Sequence, residues 1–414
     1  MKKLVALLLA LTLCIGLCAC GATAEKPAEE TPATTGETET PATDAKDIKV
    51  GFIFLHDENS TYDLNFINAA KAAAAELGLS DDQIMMKTNI AESQACYDAA
   101  AELVDAGCDL VITDSFGHES FALAAAKEFP EVQFVSCTGV KAHTEGLSNF
   151  HNAFASIYEG RYLAGVAAGL KLNEMIENGD ITAEEAKMGY VGAYPYAEVK
   201  SGYTSFFLGA RSICPSVTME VTFTSSWYDE ALEKEAANKL INNGCVLISQ
   251  HADSMGAPTA CETAGVPNVS YNGSTVAACP NTFIVSSRID WTPFFVYAIN
   301  CVASGEDIGY DWTGTLATGS VVLTEVNEAA AAAGTVEKIA EVMKALEDGS
   351  VKVFDTATFT VNGETVTTYL ADVDDLGDYV GETEVVSDGV FLESYYRSAP
   401  YFDLDIDGIT NLDA

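Results

Sequence analysis

The sequence predicts an α/β protein built from two similar lobes with parallel sheets. Strand-like and helix-like segments alternate along both halves of the chain, which is typical of a parallel sheet covered by helices. A repeat of this length indicates two copies of a whole domain, and two facing lobes form a cleft of the kind that binds small ligands. Three patterns occur twice at a nearly constant offset: KVGFI at 49–53 and KMGYV at 187–191, LVDAGCDLVI at 103–112 and LINNGCVLIS at 240–249, VSCTG at 135–139 and VSYNG at 269–273.

Each half has its own set of predicted elements. The first half gives strands at 48–55, 110–113 and 133–137 and helices at 65–77, 93–106 and 119–129. The second gives strands at 188–193, 217–223, 246–249, 268–271 and 282–287 and helices at 203–211, 230–242 and 258–264. A small-residue helix within 152–170 crosses between the halves, and a helix at 336–347 and strands at 351–354 and 359–361 follow. Right-handed crossovers bring the carboxyl ends of the strands to one edge, so the loops after the strands form the expected binding edge.

The N-terminus predicts export and a lipid anchor. Lys2 and Lys3 precede an apolar run that ends in the sequence LCACG, which is typical of a lipoprotein signal peptide over residues 1–19 with Cys20 as the acylated residue. The alternative is ordinary cleavage after Ala19 without lipid. Residues 20–46 are rich in Thr, Glu, Pro and Ala and predict a disordered tether. We therefore expect the folded part at the extracytoplasmic face of the cell membrane.

The net charge of the chain limits the kinds of partner that it can bind, and the positions of its cysteines indicate free thiols. The chain has a formal net charge of −40, which argues against nucleic acid or an anionic lipid surface as the main partner. It contains 11 cysteines, of which three lie in the leader and most others in apolar stretches, where free cysteines behave as small hydrophobes. One or two disulfide bonds remain an alternative.

The sequence carries no motif of an enzyme. It has no P-loop, no G-x-S-x-G and no H-E-x-x-H, and its five histidines are scattered without metal-ligand spacing. We expect no catalytic residue, no metal and no cofactor.

The loops after the strands are rich in aromatic and uncharged polar side chains. Flat aromatic faces with amide and hydroxyl groups around them suit a planar heterocycle, which needs stacking on its faces and directional hydrogen bonds at its rim. The aromatic candidates are Tyr62, Phe116, Tyr194, Trp227 and Trp291, and the polar candidates are Asn65, Ser115, Gln250 and Asn272.

Several of these motifs together resemble a known family. The lipobox, the duplicated lobes, TDSFG at 113–117, YEGRYLAG at 158–165, SWYD at 226–229 and QHADS at 250–254 are similar to those of the basic membrane protein family, the substrate-binding lipoproteins of ABC importers that include purine nucleoside receptors. The resemblance implies a type I periplasmic-binding-protein fold of two Rossmann-like lobes joined by a three-crossover hinge. It also implies a purine nucleoside or nucleobase as ligand, closure of the lobes over it, and ABC permease subunits as partners.

Carried over by position, the resemblance assigns ligand contacts in both lobes. The residues are Tyr62, Asn65, Ser115 and Phe116 in one lobe and Trp227, Gln250 and Asp253 in the other. Where the nucleoside receptors commonly place an aspartate for the ribose, this chain has YNGS at 271–274, and its first loop is DENSTY at 57–62. A free base therefore stays beside a nucleoside as the expected ligand.

The expected lobes are discontinuous. Lobe 1 comprises 47–155 with about 282–305, lobe 2 comprises 156–281 with about 306–400, and 401–414 form an acidic C-terminal tail. Three alternatives to purine import stay open: a sugar or signalling molecule as ligand, a sensor that passes its ligand to a signalling partner, and a nucleoside hydrolase using Asp57, Glu58 and Asp114.

Overall fold

A computed structural model describes residues 47–374 and 380–413. The predicted signal peptide, the lipidation candidate Cys20 and most of the tether lie outside the described residues, as does the C-terminal Ala414. No helix among the described residues is both long enough and apolar enough to cross a membrane.

Lobe 1 is a six-stranded parallel sheet with helices on both faces. Its central strands at Val50–Ile53 and Leu110–Thr113 are short apolar runs that are buried, as expected for a sheet covered on both sides. The strands, in spatial order β11-β5-β4-β3-β1-β2, are β1 (Val50–Ile53), β2 (Ile84–Lys87), β3 (Leu110–Thr113), β4 (Gln133–Ser136), β5 (Phe150–Ala155) and β11 (Asp311–Gly314). The helices are α1 (Thr61–Leu77), α2 (Gln94–Asp105), α3 (Glu119–Glu128), α4 (Ala142–Glu145) and α9 (Thr292–Ser304).

Lobe 2 repeats this plan with seven strands, of which only the edge strand β12 runs antiparallel. The strands, in spatial order β12-β10-β9-β8-β6-β7-β17, are β6 (Lys187–Gly192), β7 (Thr218–Phe223), β8 (Leu247–His251), β9 (Asn268–Tyr271), β10 (Phe283–Ile289), β12 (Val321–Leu323) and β17 (Ile409–Asn411). The helices are α5 (Ile157–Asn178), α6 (Ala197–Ile213), α7 (Glu230–Asn242), α8 (Gly256–Ala264) and α10 (Thr335–Glu347). Two small hairpins pair β13 (Leu370–Ala371) with β14 (Thr383–Glu384) and β15 (Val386–Ser387) with β16 (Val390–Phe391).

The lobes are joined by three chain crossings that lie side by side. The first passes through Ser156 between β5 and α5, the second through Asp290 between β10 and α9, and the third through residues 315–320 between β11 and β12. Backbone hydrogen bonds connect them: the Ser156 amide donates to the Gly314 carbonyl at 2.7 Å, and the Asp290 amide donates to the Ser320 carbonyl at 2.7 Å. The predicted two-lobe fold with a three-crossover hinge is confirmed.

Helices α5 and α6 cross at small residues, as the YEGRYLAG run predicts. A Cβ atom on Gly165 would lie 2.0 Å from the Phe206 carbonyl oxygen, and one on Gly209 would lie 2.1 Å from the Tyr162 carbonyl oxygen. Both distances are far below van der Waals contact, so any larger residue at either position would push the helices apart. This close crossing fixes α6, whose N-terminal end faces the cleft.

The structure moves three segments relative to the expected lobe boundaries. Within 282–305, only α9 joins lobe 1, because β10 pairs with β9 in the second sheet. Within 306–400, β11 belongs to lobe 1, where it pairs with β5. The expected tail 401–414 contains β17, which pairs with β7. The sequence of a strand does not reveal which of two similar sheets it joins, because its pairing partners are distant in the sequence.

The segment that follows α10 packs on lobe 2 and also contacts lobe 1. Phe354 stacks on Phe402 at 4.5 Å between ring centroids within the lobe 2 core. The amide and hydroxyl of Ser398 both donate to Asp311 Oδ1 of β11 at 2.8 Å. Thr144 of lobe 1 donates to the Asp374 carbonyl at 2.6 Å. We call residues 354–374 and 380–413 the C-terminal wrap, because they contact both lobes beyond the three crossings.

A buried glutamate in the C-terminal wrap predicts a pH-dependent stability. Glu393 is 3% exposed, accepts a hydrogen bond from Ser201, and has its pKa raised to about 7 by burial. The folded state therefore holds a proton that the unfolded state releases above about pH 4.5, and stability falls as pH rises through about 7. We expect Glu393→Gln to match the parent near pH 4 and to exceed its free energy of unfolding by up to ~3 kcal/mol near pH 9.

Urea unfolding across this pH range measures the difference between variant and parent. Other buried acids contribute to the pH profile of both proteins, so only the difference reports on Glu393. Glu235→Gln, which alters an exposed side chain of α7, serves as the control and should follow the parent throughout. Equal profiles for Glu393→Gln and the parent would contradict the assignment.

Candidate functional site

A cavity lies between the carboxyl ends of the strands of both lobes. It has an empty volume of about 430 Å³, part of it open to solvent, within the range of ligand pockets. Its lining residues follow β1, β3, β4, β6, β7, β8 and β9, so the predicted binding edge and the cavity coincide. Lobe 1 contributes Leu55, His56, Tyr62, Asp63, Asp114, Ser115, Phe116 and Thr138, and lobe 2 contributes Glu198, Trp227, His251, Asp253 and Tyr271.

Two buried carboxyl groups of lobe 1 face each other at the cavity. Asp63 accepts hydrogen bonds from the His56 amide at 2.7 Å and from the Ser60 hydroxyl at 2.5 Å. Asp114 accepts one from the Leu55 amide at 3.0 Å, and its other carboxyl oxygen, Oδ2, is buried without a hydrogen-bond partner among the described residues. Burial alone would raise the pKa of Asp63, but the hydrogen bonds that it accepts lower its pKa below the usual value.

Asp114 is the protonated member of this pair. Burial, followed by the negative charge of Asp63, raises the pKa of Asp114 well above its ordinary value. The neighbouring His118 supports this state, because its Nε2 lies 2.8 Å from the Ile90 carbonyl and must carry the hydrogen of that bond. Burial lowers the pKa of His118, so its ring carries no positive charge that would favour an ionised Asp114, and its Nδ1 lies 3.7 Å from Asp114 Oδ1, beyond hydrogen-bond distance. Asp114 thus offers a hydrogen-bond donor at the cavity.

Lobe 2 supplies a second neutral acid. Burial, and then the charges of Asp63 and Glu233, raise the pKa of Asp253 well above its usual range. Its Oδ1 accepts a hydrogen bond from the Asn272 side chain at 3.0 Å. Glu233 also fixes the following backbone, since its carboxylate accepts from the Ser254 amide at 3.2 Å. The loop that carries Asp253 is therefore held from both sides.

The remaining floor of lobe 2 rests on a buried arginine. Arg161 is fully buried and donates to the Tyr190 hydroxyl at 2.8 Å and to Ser249 Oγ at 3.0 Å. Its guanidinium carbon lies 4.9 Å from the centre of the Tyr271 ring, a cation–π distance. His251 packs 4.5 Å from the same ring. The arginine supports the cavity floor from behind.

Aromatic rings of both lobes surround the mouth of the cavity. Tyr194 and Tyr196 stack at 5.1 Å with an angle of 10° between their planes. Trp227 meets the Tyr194 ring edge-on at 5.2 Å. Phe116 of lobe 1 approaches Tyr196 of lobe 2 at 5.8 Å, so this ring pair spans the gap between the lobes. These half-exposed rings offer flat surfaces to a planar ligand.

Two buried hydroxyl groups at the cavity have no hydrogen-bond partner in the described part of the chain, Thr138 Oγ1 and the Tyr271 hydroxyl. Buried polar groups are rarely left in that state, so they are natural partners for a ligand. None of the described residues that line the cavity is a lysine or an arginine. The site therefore suits a ligand without a negative charge.

Five of the ten predicted contact residues line the cavity, namely Tyr62, Ser115, Phe116, Trp227 and Asp253. Gln250 lies just beneath it, 1% exposed, and donates to the Ala252 carbonyl at 3.2 Å. Tyr194 packs behind Trp227. Asn65 and Asn272 lie on an outer groove between the lobes, where Asn65 Nδ2 donates to the Asn272 carbonyl at 2.9 Å.

The placement of Trp291 at the ligand is wrong. Trp291 is 1% exposed and lies in the lobe 1 core, stacked on Phe66 at 4.4 Å and on Phe295 at 6.3 Å. Its position after β10 suggests the binding edge, but it immediately precedes α9 and anchors that helix to lobe 1. The apolar sequence of α9 is the signal for packing.

The sequence does not single out most of the other residues that line the cavity. The missed residues are Leu55, His56, Asp63, Asp114, Thr138, Glu198, His251 and Tyr271. Asp114 is nominated only for a hydrolase together with Asp57 and Glu58, and those two acids do not line the cavity. The useful signal is position, because each missed residue lies at or just after the end of a strand or at the start of the next helix.

Comparison with known proteins gives a consistent result. The model of a family described as ABC transporter substrate-binding proteins, PnrA-like, matches residues 53–353. A purine-binding protein of Brucella abortus is 31% identical over 261 residues, which cover 62% of this chain and 69% of that protein. A putative ABC transporter glucose-binding protein of Haloferax volcanii is 31% identical over 217 residues, which cover 52% of each chain.

A solved structure supports the fold. An ABC transporter solute-binding protein from Conexibacter woesei superposes with a TM-score of 0.59 at 20% identity, covering 74% of this chain and 98% of that one. At this level of identity the likeness shows the two-lobe architecture and says nothing about the ligand.

Proposed function

This chain belongs to the PnrA-like family of ABC transporter substrate-binding proteins, and from that premise we propose that it captures a purine base or nucleoside between its lobes and delivers it to an ABC permease. The family consists of binding proteins and not of enzymes. The observation that carries the proposal is the combination of aromatic walls from both lobes with a floor of neutral hydrogen-bonding groups. A purine needs both features, because it stacks through its faces and forms hydrogen bonds through the nitrogen and oxygen atoms at its rim.

The walls and the floor have separate tasks. Tyr62, Phe116 and Trp227 line the cavity and would supply most of the affinity by stacking on the ligand. Neutral Asp114, Thr138 and Tyr271 would satisfy nitrogen and oxygen atoms at the rim of the base. Because no cation lines the described cavity and Asp63 is ionised, a phosphate group would be repelled, which favours a base or nucleoside over a nucleotide.

The purine-binding relative from Brucella abortus supports this class of ligand. Transport would follow capture by closure, in which one lobe binds the ligand and the other swings over it. We also retain Cys20 as the proposed lipid attachment site, on the strength of the LCACG sequence. The mass of the N-terminal peptide extracted from membranes tests this assignment, since an unmodified peptide beginning elsewhere would exclude it.

A sugar is the second candidate. Four acidic residues line the cavity, Asp63, Asp114, Glu198 and Asp253, and carboxyl groups of this kind commonly bind sugar hydroxyls. The putative glucose-binding relative from Haloferax volcanii supports this second class of ligand. The aromatic rings at the mouth can stack on either ligand, so the four acidic residues of the floor are the feature that favours a sugar.

Identification of a co-purified ligand tests the proposal most directly. Protein starting at residue 47 is purified, denatured, and the released small molecules are identified by mass spectrometry and ultraviolet absorbance. We expect a purine at near-stoichiometric amount, or an increase in melting temperature with a purine panel if the protein is empty. An empty protein that responds to sugars and not to purines would overturn the proposal.

A further inference from the structure

Hydrogen bonds join the two lobes directly beside the cavity. The backbone amide of Thr61 donates to the Asp253 carbonyl at 3.1 Å, and the Thr61 hydroxyl lies 3.2 Å from the same oxygen. The Asn65 side chain donates to the Asn272 carbonyl at 2.9 Å. Thr61 and Asn65 lie in α1 of lobe 1, whereas Asp253 and Asn272 follow β8 and β9 of lobe 2. We call these four residues the lobe latch.

The N-terminal end of α1 provides a free backbone amide to the lobe latch. Thr61 is the first residue of α1, and Ser60 caps that helix by accepting a hydrogen bond from the Asp63 amide. The first amides of a helix have no partner within the helix, so the Thr61 amide is free to donate outward. In the closed arrangement its partner is the Asp253 carbonyl, placed at the positive end of the helix dipole.

The lobe 2 side of the latch is equally well positioned. Asn272 is 1% exposed and has a φ of 65°, in the left-handed region that asparagine adopts more readily than most residues. This conformation turns its carbonyl towards Asn65 while its side chain donates to Asp253 Oδ1 at 3.0 Å. Asn65 is 8% exposed, so both partners are held away from water.

Asp253 connects the latch to the ligand cavity. Its carboxyl group lines the cavity, and its own carbonyl accepts the hydrogen bonds from Thr61. A ligand that fixes the Asp253 side chain also fixes the carbonyl on which lobe 1 closes. We propose that Thr61, Asn65 and Asn272 are positioning residues that hold the closed form and set how long the ligand stays bound. This inference rests on the proposed capture of a ligand by lobe closure.

The latch acts on release more than on capture. The open form binds ligand before the latch forms, so the association rate does not depend on it, whereas dissociation requires the latch to break. Asn65→Leu removes the side-chain donor at similar size, and Thr61→Val removes the hydroxyl while keeping the shape. We expect each to raise the dissociation rate of adenosine by about five- to tenfold with little change in the association rate.

Matched variants separate the latch from packing. Thr61→Ser restores the hydroxyl and should dissociate at nearly the parent rate. Asn68→Leu alters an amide that lines the same outer groove on α1, but whose side chain forms no hydrogen bond to another described residue, and it should also behave like the parent. Stopped-flow competition measures the rates. Unchanged dissociation in Asn65→Leu and Thr61→Val, or a fall in association alone, would overturn the latch.

Hydrogen exchange makes the test independent of the ligand's identity. Peptides that contain the start of α1 and the loop after β9 should exchange faster in Asn65→Leu than in the parent, and the rest of α1 should not. If adenosine fails to bind the parent, the purine assignment fails, and exchange in the presence of whichever purine or sugar raises the melting temperature of the parent decides about the latch. Faster exchange in both peptides supports it, and equal exchange overturns it.

Discussion

Replacing Trp227 by alanine should weaken purine binding by about 10- to 100-fold, in line with the ~1–3 kcal/mol that one stacked ring contributes. Trp227 lines the cavity and is half-buried, and it packs against Tyr194 and the margin of the lobe 2 core. Its removal deletes contacts at that margin only and leaves the buried residues of both cores in place. The melting temperature of the ligand-free protein should therefore change by no more than about 2–4 °C.

Fluorescence or calorimetric titration with adenosine, together with thermal unfolding, checks both parts. Tyr395→Ala is the control, since Tyr395 is 74% exposed and lies outside the lining of the cavity. It removes an aromatic ring and should leave both measurements unchanged. A Trp227→Ala protein that does not fold would make Trp227 a core residue, and one that binds normally would exclude stacking at this position.

The second large effect is expected at Asp114, where the shape of the side chain and its protonation can be separated. Asp114→Leu removes both hydrogen-bonding atoms and leaves the Leu55 amide without its acceptor, so affinity should fall by about 100-fold. Asp114→Asn keeps an acceptor for the Leu55 amide and a hydrogen-bond donor for the ligand, as the protonated acid does. Its affinity should stay within about tenfold of the parent.

Stability against pH gives an independent test of the same assignment. Because the pKa of Asp114 is raised in the folded state, its folded form holds a proton that the unfolded chain loses above about pH 4, and the parent loses stability as pH rises towards the folded pKa. Asp114→Asn has no such proton, so it should unfold at a higher temperature than the parent in alkaline solution and at a similar one near pH 4.

Asp57→Asn provides the matched control for charge. Asp57 lies in the neighbouring loop, outside the cavity lining, so the same substitution there should change neither affinity nor the pH profile in alkaline solution. If Asp114→Asn loses as much affinity as Asp114→Leu, the ligand requires an ionised carboxylate, and the neutral-acid interpretation of the floor is wrong.

Periodicity and the internal repeat were sufficient to predict the architecture. The helix at 230–242 is observed with those bounds, and strands such as β3 and β9 lie where their apolar runs predict. The edge strands β2 and β17 escape notice because their residues are partly exposed and their apolar runs are no longer than three residues. The strands expected at 351–354 and 359–361 do not form, although Asn362 and Gly363 both adopt positive φ in the expected turn.

The residues of the candidate site also fall into those that the sequence predicts and those that it does not. Aromatic residues in loops after strands are visible in the sequence, and Trp227 and Phe116 are at the cavity as predicted. The acidic cavity residues are harder to predict, because one aspartate in an acidic chain cannot be distinguished from the others until its neighbours in the fold are known. Asp63 becomes a cavity residue only because α1 begins at Thr61 and brings it opposite Asp114. Asn65 and Asn272 have the expected chemistry, but they meet each other across the lobes.

The interleaving of the lobes also determines how the chain can be cut and rebuilt. Neither lobe is a continuous stretch of polypeptide, since the first sheet ends with β11, which is synthesised after five of the seven strands of lobe 2, and the second sheet ends with β17 among the last described residues. A fragment that stops at the first crossing lacks both β11 and α9, and a nascent chain cannot complete either sheet until late in synthesis. Grafting one lobe onto a relative would therefore require junctions at all three crossings, together with the matching C-terminal wrap.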